Sequence, residues 1–255
     1  MRLLILFGAI LLFPYSHTIA KTLFFDDFED NSISNKWDLS GVWEEKDGNL
    51  ACVKSKVKFN YAVPKIPAEF HSKRITIQAK GKITGLPWSR MGVAVRLTPR
   101  LNNAEGKDGK PTGHLGYCLT TPEGGPGAVK LLNEGVQWQN LNVQVRPELD
   151  QWIWIQLAVT DNQELQAKVW VDGEKEPDKP IKKVKEWMRK NGQVVKQNRP
   201  IGPVGLIGKA MEAWGRGGAI PVYDEVEIWD AGGPGKRPQA VDLTGKLATF
   251  WAHIK

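Results

Sequence analysis

The sequence predicts an all-β protein, a sandwich of two antiparallel sheets, and three observations lead to that class. Apolar residues alternate with polar ones in many short segments, and these segments are rich in β-branched and aromatic side chains. Gly-rich and Asx-Gly turns separate the segments. Strands with one apolar side can bury it only against a second layer, so together they indicate a sandwich.

The strand segments follow one another along the chain, with their apolar positions two residues apart. They span residues 23–25, 49–63, 74–80, 91–97, 152–159, 165–171, 204–207 and 222–229. In the fourth segment the residues predicted to face the core are Met91, Val93, Val95 and Leu97. Arg90 and Arg96 take the alternate positions, so we expect them to point away from the core.

Residues 179–199 break this pattern. They are basic and carry a few apolar residues at helical spacing, which leaves a short amphipathic helix or a solvated loop open. Of the two, we favour the loop.

The two ends of the chain are predicted to lie outside the sandwich. Residues 1–20 contain Arg2, a short apolar run and a final small residue, Ala20, which is typical of a secretory signal peptide. A retained membrane anchor is the alternative, but spanning a bilayer takes about 20 apolar residues. We therefore expect the sandwich domain over residues 21–231 and a Gly/Pro linker with a short amphipathic C-terminal helix over residues 232–255. The expected location is the periplasm or the outside of the cell.

Composition argues against several classes of partner. The chain has 35 basic and 28 acidic residues and a net charge of +7. The basic residues are scattered rather than gathered into a stripe, so we expect no nucleic-acid partner. No later apolar run predicts a membrane span once the signal peptide is removed. The two cysteines, Cys52 and Cys118, fit either a disulfide or two buried thiols, and they are too few for a zinc site.

The order of the short motifs resembles a known family. Phe25-Asp26-Asp27-Phe28 is followed by Trp37, by Trp43 and by Asp47-Gly48-Asn49-Leu50, and Tyr223-Asp224-Glu225-Val226 comes near the end. This order resembles the concanavalin A-like lectin/glucanase domains, which are laminin-G-like jelly rolls of secreted bacterial proteins. The resemblance covers about residues 23–230 and implies the strand order of a jelly roll, but a fold does not determine a function.

The catalytic motif of that family's glucanases is missing. It reads Glu-x-Asp-x-x-Glu on one strand, and the nearest acidic strand here, residues 224–230, has a different spacing. Relatives that hydrolyse 3-keto-glycosides usually have an Asn-Ser-Gly-Ile stretch where this chain has Ser89-Arg90-Met91-Gly92. We therefore expect a secreted non-catalytic recognition domain. A glycoside hydrolase of the 3-keto-glycoside or glucan type with an atypical carboxylate pair stays open, and so does a structural or adhesion module.

Eleven tryptophans favour a carbohydrate ligand, because rigid aromatic faces stack on sugar rings. Several are expected to fill the core, whereas those in Gly- or Pro-rich surroundings are predicted to be exposed. The predicted ligand surface consists of Trp88, Arg90, Arg96, Tyr117, Trp138 and Trp214. The expected partner is a polysaccharide or glycoconjugate.

The resemblance also implies a structural Ca²⁺ that clips the first strand to the last. Ca²⁺ takes oxygen ligands, and the positions that match are Asp27, Glu29, the carbonyl group of Gly48, and Asp224. The alternative, which stays open, is that these acidic residues only form turns and strand edges.

Overall fold

The computed structural model has the fold class that the sequence predicts, two antiparallel β-sheets packed face to face. It describes residues 22–54, 60–71, 73–84, 89–101, 111–121, 129–133, 145, 147–185, 188–190, 193–195, 201–213 and 216–230. The predicted signal peptide, linker and C-terminal helix lie outside these residues. Of the helices in these ranges, none has the length and hydropathy needed to cross a membrane.

The described elements are mostly short strands. The first half of the chain forms β1 (Thr22–Asp26), α1 (Ile33–Lys36), β2 (Trp37–Leu39), β3 (Val42–Lys46), β4 (Asn49–Lys54), β5 (Asn60–Pro64), a 3₁₀ helix (Ala68–Phe70), β6 (Ile75–Thr84), β7 (Arg90–Leu101) and β8 (Pro111–Thr120). The second half forms β9 (Lys130–Asn133), β10 (Ile153–Val159), β11 (Glu164–Val171), β12 (Lys182–Lys185), β13 (Met188–Lys190), β14 (Gln193–Val195), β15 (Gly205–Lys209), β16 (Met211–Ala213) and β17 (Arg216–Trp229).

The strand order is that of a jelly roll, in which neighbours in a sheet are distant in sequence. Among the described strands, one sheet has nine members in the order β12-β11-β10-β6-β17-β4-β3, with β1 and β16 also paired to β17. The other sheet has six members in the order β2-β5-β15-β7-β8-β9. The long strand β17 is therefore the centre of the nine-stranded sheet.

The two sheets bury a continuous apolar core between them. On the nine-stranded sheet the inward positions of β6 and β10 are Ile75, Ile77, Ile153, Ile155 and Leu157. Across from them, β7 presents Met91, Val93 and Val95, and all eight side chains are at most 1% exposed. Burying one such side chain contributes about 1.5–3 kcal/mol. The alternation in the sequence therefore supplies most of the driving force for this fold.

Tyr223 connects the two sheets through its hydroxyl group. Its side chain is fully buried on β17 and reaches β7 and β15 of the other sheet. The hydroxyl accepts a hydrogen bond from the Gly92 amide at 2.8 Å, and it lies within donating distance of the Gly92 and Ile207 carbonyl groups. Because a hydroxyl has one proton, it donates to one carbonyl at a time. Burial raises the pKa of the Tyr223 phenol above its ordinary value of 10.0.

A β-bulge changes the side that the second half of β7 faces. The pairing of β7 with β8 is regular up to Val95 and shifts register before Thr98. Within the bulge, Arg96 has a φ of 57°, and an extra residue of this kind interrupts the period-two alternation. Leu97 consequently packs in a small apolar cluster on the outward side of the six-stranded sheet. The prediction that Leu97 faces the core with Met91 is wrong for this reason.

Residues 179–199 contain strands, so the predicted loop is wrong for much of that segment. β12 pairs with β11 at the edge of the nine-stranded sheet, and β13 pairs with β14 in a separate hairpin. Lysines surround Val184 along β12. Charged residues on an edge strand prevent it from pairing with another chain, and the same residues make the segment resemble a solvated loop in the sequence.

The two cysteines are buried thiols, and the disulfide that the sequence left open does not form. Cys52 packs in the core between the sheets, 3.6 Å from the side-chain amide nitrogen of Asn60. Cys118 packs on the outward side of the six-stranded sheet. They lie on different sides of this sheet, which explains why they do not meet.

Candidate functional site

The outward side of the six-stranded sheet carries polar residues that the core does not use. Lys209 on β15 pairs with Arg90 on β7, and Thr120 on β8 pairs with Gly92, two residues along from Arg90. Residues two apart on a strand share a face, so Arg90, Thr120 and Lys209 point to the same side. We call these three residues the Arg90 face.

The Arg90 face is buried and its hydroxyl group is unsatisfied. Arg90 is 4% exposed and Thr120 is fully buried. Within the described part of the chain, the Thr120 hydroxyl has no hydrogen-bond partner, and neither has the hydroxyl of Ser89 just before β7. Buried hydroxyl groups are nearly always paired, and leaving one unpaired costs about 1–3 kcal/mol. The fold thus retains a hydrogen-bonding group here that its own contacts do not satisfy.

Apolar side chains adjoin the Arg90 face on the same outward side. This cluster consists of Tyr61, Val63, Ala94, Leu97, Cys118 and Ile207. Each is at most 7% exposed. The protein itself therefore encloses this cluster, and the unsatisfied Thr120 hydroxyl lies beside it.

The groups on the Arg90 face can bind a ligand but are poor proton-transfer groups. A guanidinium group stays charged at all ordinary pH values and only donates hydrogen bonds. The threonine hydroxyl donates and accepts without ionising. Arg90 and Thr120 therefore suit recognition by hydrogen bonds rather than acid–base catalysis.

Three of the six residues predicted for the ligand surface are described, namely Arg90, Arg96 and Tyr117. Of these three, only Arg90 lies on the Arg90 face. The Arg96 guanidinium donates from Nη2 to the Lys73 carbonyl at 2.8 Å, so it braces the loop before β6. Tyr117 is fully buried and faces the core between the sheets. The remaining three, Trp88, Trp138 and Trp214, lie outside the described residues.

An ammonium group lies in the region predicted for calcium. Asp26, at the end of β1, is 2% exposed. Its Oδ1 accepts a hydrogen bond from Lys36 Nζ at 2.9 Å, and its Oδ2 accepts one from Trp37 Nε1 at 2.7 Å. Lys36 Nζ also lies 2.6 Å from Asp30 Oδ2. Burial alone would lower the pKa of Lys36, but the bonds to the two carboxylates outweigh it and raise the pKa above 10.5.

Two of the four predicted metal ligands, Asp27 and Asp224, have other partners in the structure. The Glu29 carboxylate lies so close to Gly48 that it would overlap a Cβ atom placed on that glycine. Asp27 accepts a hydrogen bond from the Glu29 amide at 3.4 Å. Asp224 instead pairs with Lys80, with 3.0 Å between Oδ2 and Nζ. Among the residues that the structure describes, no three His, Cys, Asp or Glu side chains are close enough to hold a metal ion.

We expect calcium to leave the stability of the protein unchanged. A metal that binds only the native state raises the melting temperature, whereas Asp26 and Asp30 already have Lys36 as their counter-charge and Asp224 has Lys80. Thermal melts in millimolar Ca²⁺ and in excess chelator should coincide. A higher melting temperature in Ca²⁺ that the chelator reverses would contradict this expectation.

Stability should fall as the pH rises above about 10. Lys36 and Lys80 have pKa values raised above 10.5, because their hydrogen bonds to carboxylates outweigh the opposing effect of burial. Burial raises the pKa of Tyr223 above 10.0. For groups raised in this way, the stabilisation is complete below the unfolded-state pKa and is lost as the pH approaches the folded-state pKa. Melting temperatures measured between about pH 8 and about pH 11.5 should therefore decline at the alkaline end; a flat profile would contradict the assignment.

Comparison with known proteins identifies the fold. No protein-family model matches the chain, and no curated protein is similar to it in sequence. The exoplasmic/lumenal domain of VIP36, solved in a Ca²⁺/Man3GlcNAc-bound form, superposes with a TM-score of 0.52 at 10% identity, covering 89% of this chain and 96% of that chain. A protein described among endo-acting O-glycanases of the human gut microbiota superposes with a TM-score of 0.51 at 14% identity, covering 83% of this chain and all of that chain (100%). The chain therefore has the concanavalin A-like lectin/glucanase fold.

Proposed function

We propose that the protein is an extracytoplasmic carbohydrate-recognition domain that binds a polysaccharide or glycoconjugate at the Arg90 face. The observation that carries this proposal is the buried, unsatisfied Thr120 hydroxyl next to a buried arginine, outside the core. The shared fold supports the ligand class, because the VIP36 domain was solved with a bound glycan and the O-glycanases are described as initiating mucin breakdown.

A sugar meets the chemical demands of this site. Its hydroxyl groups both donate and accept, so one of them satisfies Thr120 in either direction. The charged guanidinium group of Arg90 lies on the same face, and it only donates hydrogen bonds. This division of contacts gives binding without requiring a charged ligand.

The proposal includes export, with residues 1–20 as the signal peptide. The buried thiols of Cys52 and Cys118 are compatible with an oxidising compartment, because each is enclosed and they lie in separate clusters. Sequencing the N-terminus of the protein recovered from the periplasm or medium tests this part. A mature chain that still begins at Met1 would contradict it.

The variant Thr120→Val separates binding from folding. It removes an unsatisfied buried hydroxyl at nearly constant shape, so we expect stability to stay equal or rise by up to about 1 kcal/mol. The same change removes one hydrogen bond to the ligand, which should weaken binding about tenfold. Thermal melts and calorimetric titration with glycans selected on an array measure the two effects.

Thr76→Val is the matched control, because Thr76 is an equally buried threonine on the other sheet. It should leave glycan affinity unchanged. If Thr120→Val binds as tightly as the original protein, the ligand does not contact the Arg90 face. If purified protein releases reducing sugar from the glycans it binds, and an Asp or Glu substitution abolishes that release, the hydrolase alternative replaces the recognition proposal.

A further inference from the structure

A groove of about 340 Å³ crosses the outward side of the nine-stranded sheet, on the opposite side of the sandwich from the Arg90 face. Its floor consists of Ala51 and Val53 on β4 and Val222 on β17. Ala51 and Val222 are paired across the two strands, so the floor is continuous. Small side chains at these outward positions leave room between the longer side chains on either side. We call this feature the Trp152 groove, after the aromatic residue in its wall.

Trp152 stands at one wall of the groove, immediately before β10, and its side chain is half-buried. The ammonium groups of Lys82 and Lys80 lie 4.5 Å and 5.4 Å from its ring centroid. Such contacts between a cation and an aromatic ring are attractive. They fix the ring in position before a ligand arrives, which reduces the entropy that binding would lose.

Lys80 is itself anchored. Its Nζ lies 3.0 Å from Asp172 Oδ2 and 3.0 Å from Asp224 Oδ2. Asp172 in turn accepts a hydrogen bond from Trp154 Nε1 at 2.7 Å. Lys80, Asp172, Asp224 and Trp154 therefore form a connected network beside the Trp152 ring. The two carboxylates in this network already balance the charge of Lys80.

The remaining charges around the groove cancel. Two carboxylates, Glu44 and Asp47, oppose two ammonium groups, Lys46 and Lys82. A charge-balanced rim gives a polyanion or a polycation no net attraction. It does offer both donors and acceptors, which is what the hydroxyl groups of an uncharged sugar require.

Asn49 adds an acceptor to the lining of the groove. Its side-chain amide nitrogen donates to the Asp47 carbonyl at 2.7 Å. Its Oδ1 is buried and, in the part of the chain that is described, receives no hydrogen bond. A ligand hydroxyl at this end of the groove would supply the missing donor.

We infer that the Trp152 groove is a second carbohydrate site, specific for a short unit of a neutral glycan. Stacking on Trp152 holds the ring of the sugar, and the balanced rim selects against acidic glycans. Ligand pockets usually span about 300–1,000 Å³, so this groove takes a mono- or disaccharide unit rather than a long chain. The site lies on the other sheet from the Arg90 face and is independent of it. If both sites bind one polymer, their combined avidity exceeds either affinity.

The test is titration of the full mature protein with neutral gluco-, manno-, xylo- and galacto-oligosaccharides, and with oligogalacturonate as the acidic comparison. We expect binding to a neutral oligosaccharide and weaker or no binding to oligogalacturonate. Trp152→Ala should weaken the binding of the neutral oligosaccharide about tenfold. Phe25→Ala is the matched control, because it removes a half-exposed aromatic ring from the same sheet outside the groove, and it should bind as the original protein does.

A second variant distinguishes loss of the site from a folding defect in Trp152→Ala. Ala51→Leu fills the groove from its floor while Trp152 stays in place, and it should abolish the same binding with an unchanged melting temperature. Thr120→Val should leave this binding intact, which separates the inference from the proposal for the Arg90 face. The inference is overturned if no neutral oligosaccharide binds, if either groove variant binds normally, or if oligogalacturonate binds more tightly.

Discussion

Replacing Tyr223 with phenylalanine should lower the free energy of unfolding by about 2–4 kcal/mol. The hydroxyl of Tyr223 is the acceptor for the Gly92 amide and a donor to a carbonyl on β7 or β15, and all these groups are buried between the sheets. Phenylalanine keeps the ring and its packing but leaves at least two buried backbone groups unpaired. Each unpaired group costs about 1–3 kcal/mol.

Chemical denaturation of Tyr223→Phe measures this loss as a lower midpoint at an unchanged slope. Tyr223→Phe should also weaken the decline in stability at alkaline pH, because one of the three raised pKa values disappears. A midpoint within error of the original protein would show that the hydroxyl contributes nothing to joining the sheets.

Replacing Lys36 with methionine should lower the free energy of unfolding by about 2 kcal/mol. Asp26 would keep its bond from Trp37 but lose its only ion-pair partner among the described residues, while remaining 2% exposed. Breaking a buried ion pair costs about 3–5 kcal/mol. The expected loss is smaller here because the Lys36 side chain is 30% exposed and water screens its charge.

Lys65→Met is the matched control for the Lys36 variant. Lys65 pairs with Asp38 at 3.8 Å, and both side chains are well exposed, at 44% and 73%. Exposed pairs of this kind contribute about 0–1 kcal/mol, so urea denaturation should show little change for Lys65→Met. Equal losses in the two variants would mean that burial of Asp26 does not matter.

The fold was predictable because its main driving force is visible in the sequence. Alternation along residues 75–79 and 153–157 corresponds to the inward side chains of β6 and β10. A single period-two signal does not show where a strand changes sheets. Residues 49–63 read as one segment, yet β4 lies in the nine-stranded sheet and β5 in the six-stranded one.

The errors in the prediction come from backbone geometry and from tertiary context. Nothing in the sequence around Arg96 marks the bulge, since arginine rarely adopts a positive φ. The type of a residue also does not show whether its side chain lies on the inward or the outward side of a sheet. Trp154 and Trp170 are only 5% and 6% exposed, yet they pair on the outward side and stack with centroids 6.0 Å apart.

The candidate sites were only partly predictable. Arg90 was found because it alternates with core residues of β7. Its partners Thr120 and Lys209 belong to strands that only the tertiary fold brings beside β7. The Trp152 groove draws on β3, β4, β6 and β17. Its trace in the sequence is the pair of small residues Ala51 and Val53 at outward positions of β4, and their meaning depends on which strands lie alongside.

The central position of β17 has a consequence for how the chain matures. This strand is the last one described, and it pairs with β1, the first, as well as with β4, β6 and β16. Contacts between residues so far apart in sequence make folding slow. The nine-stranded sheet therefore cannot close until the chain through Trp229 has left the ribosome.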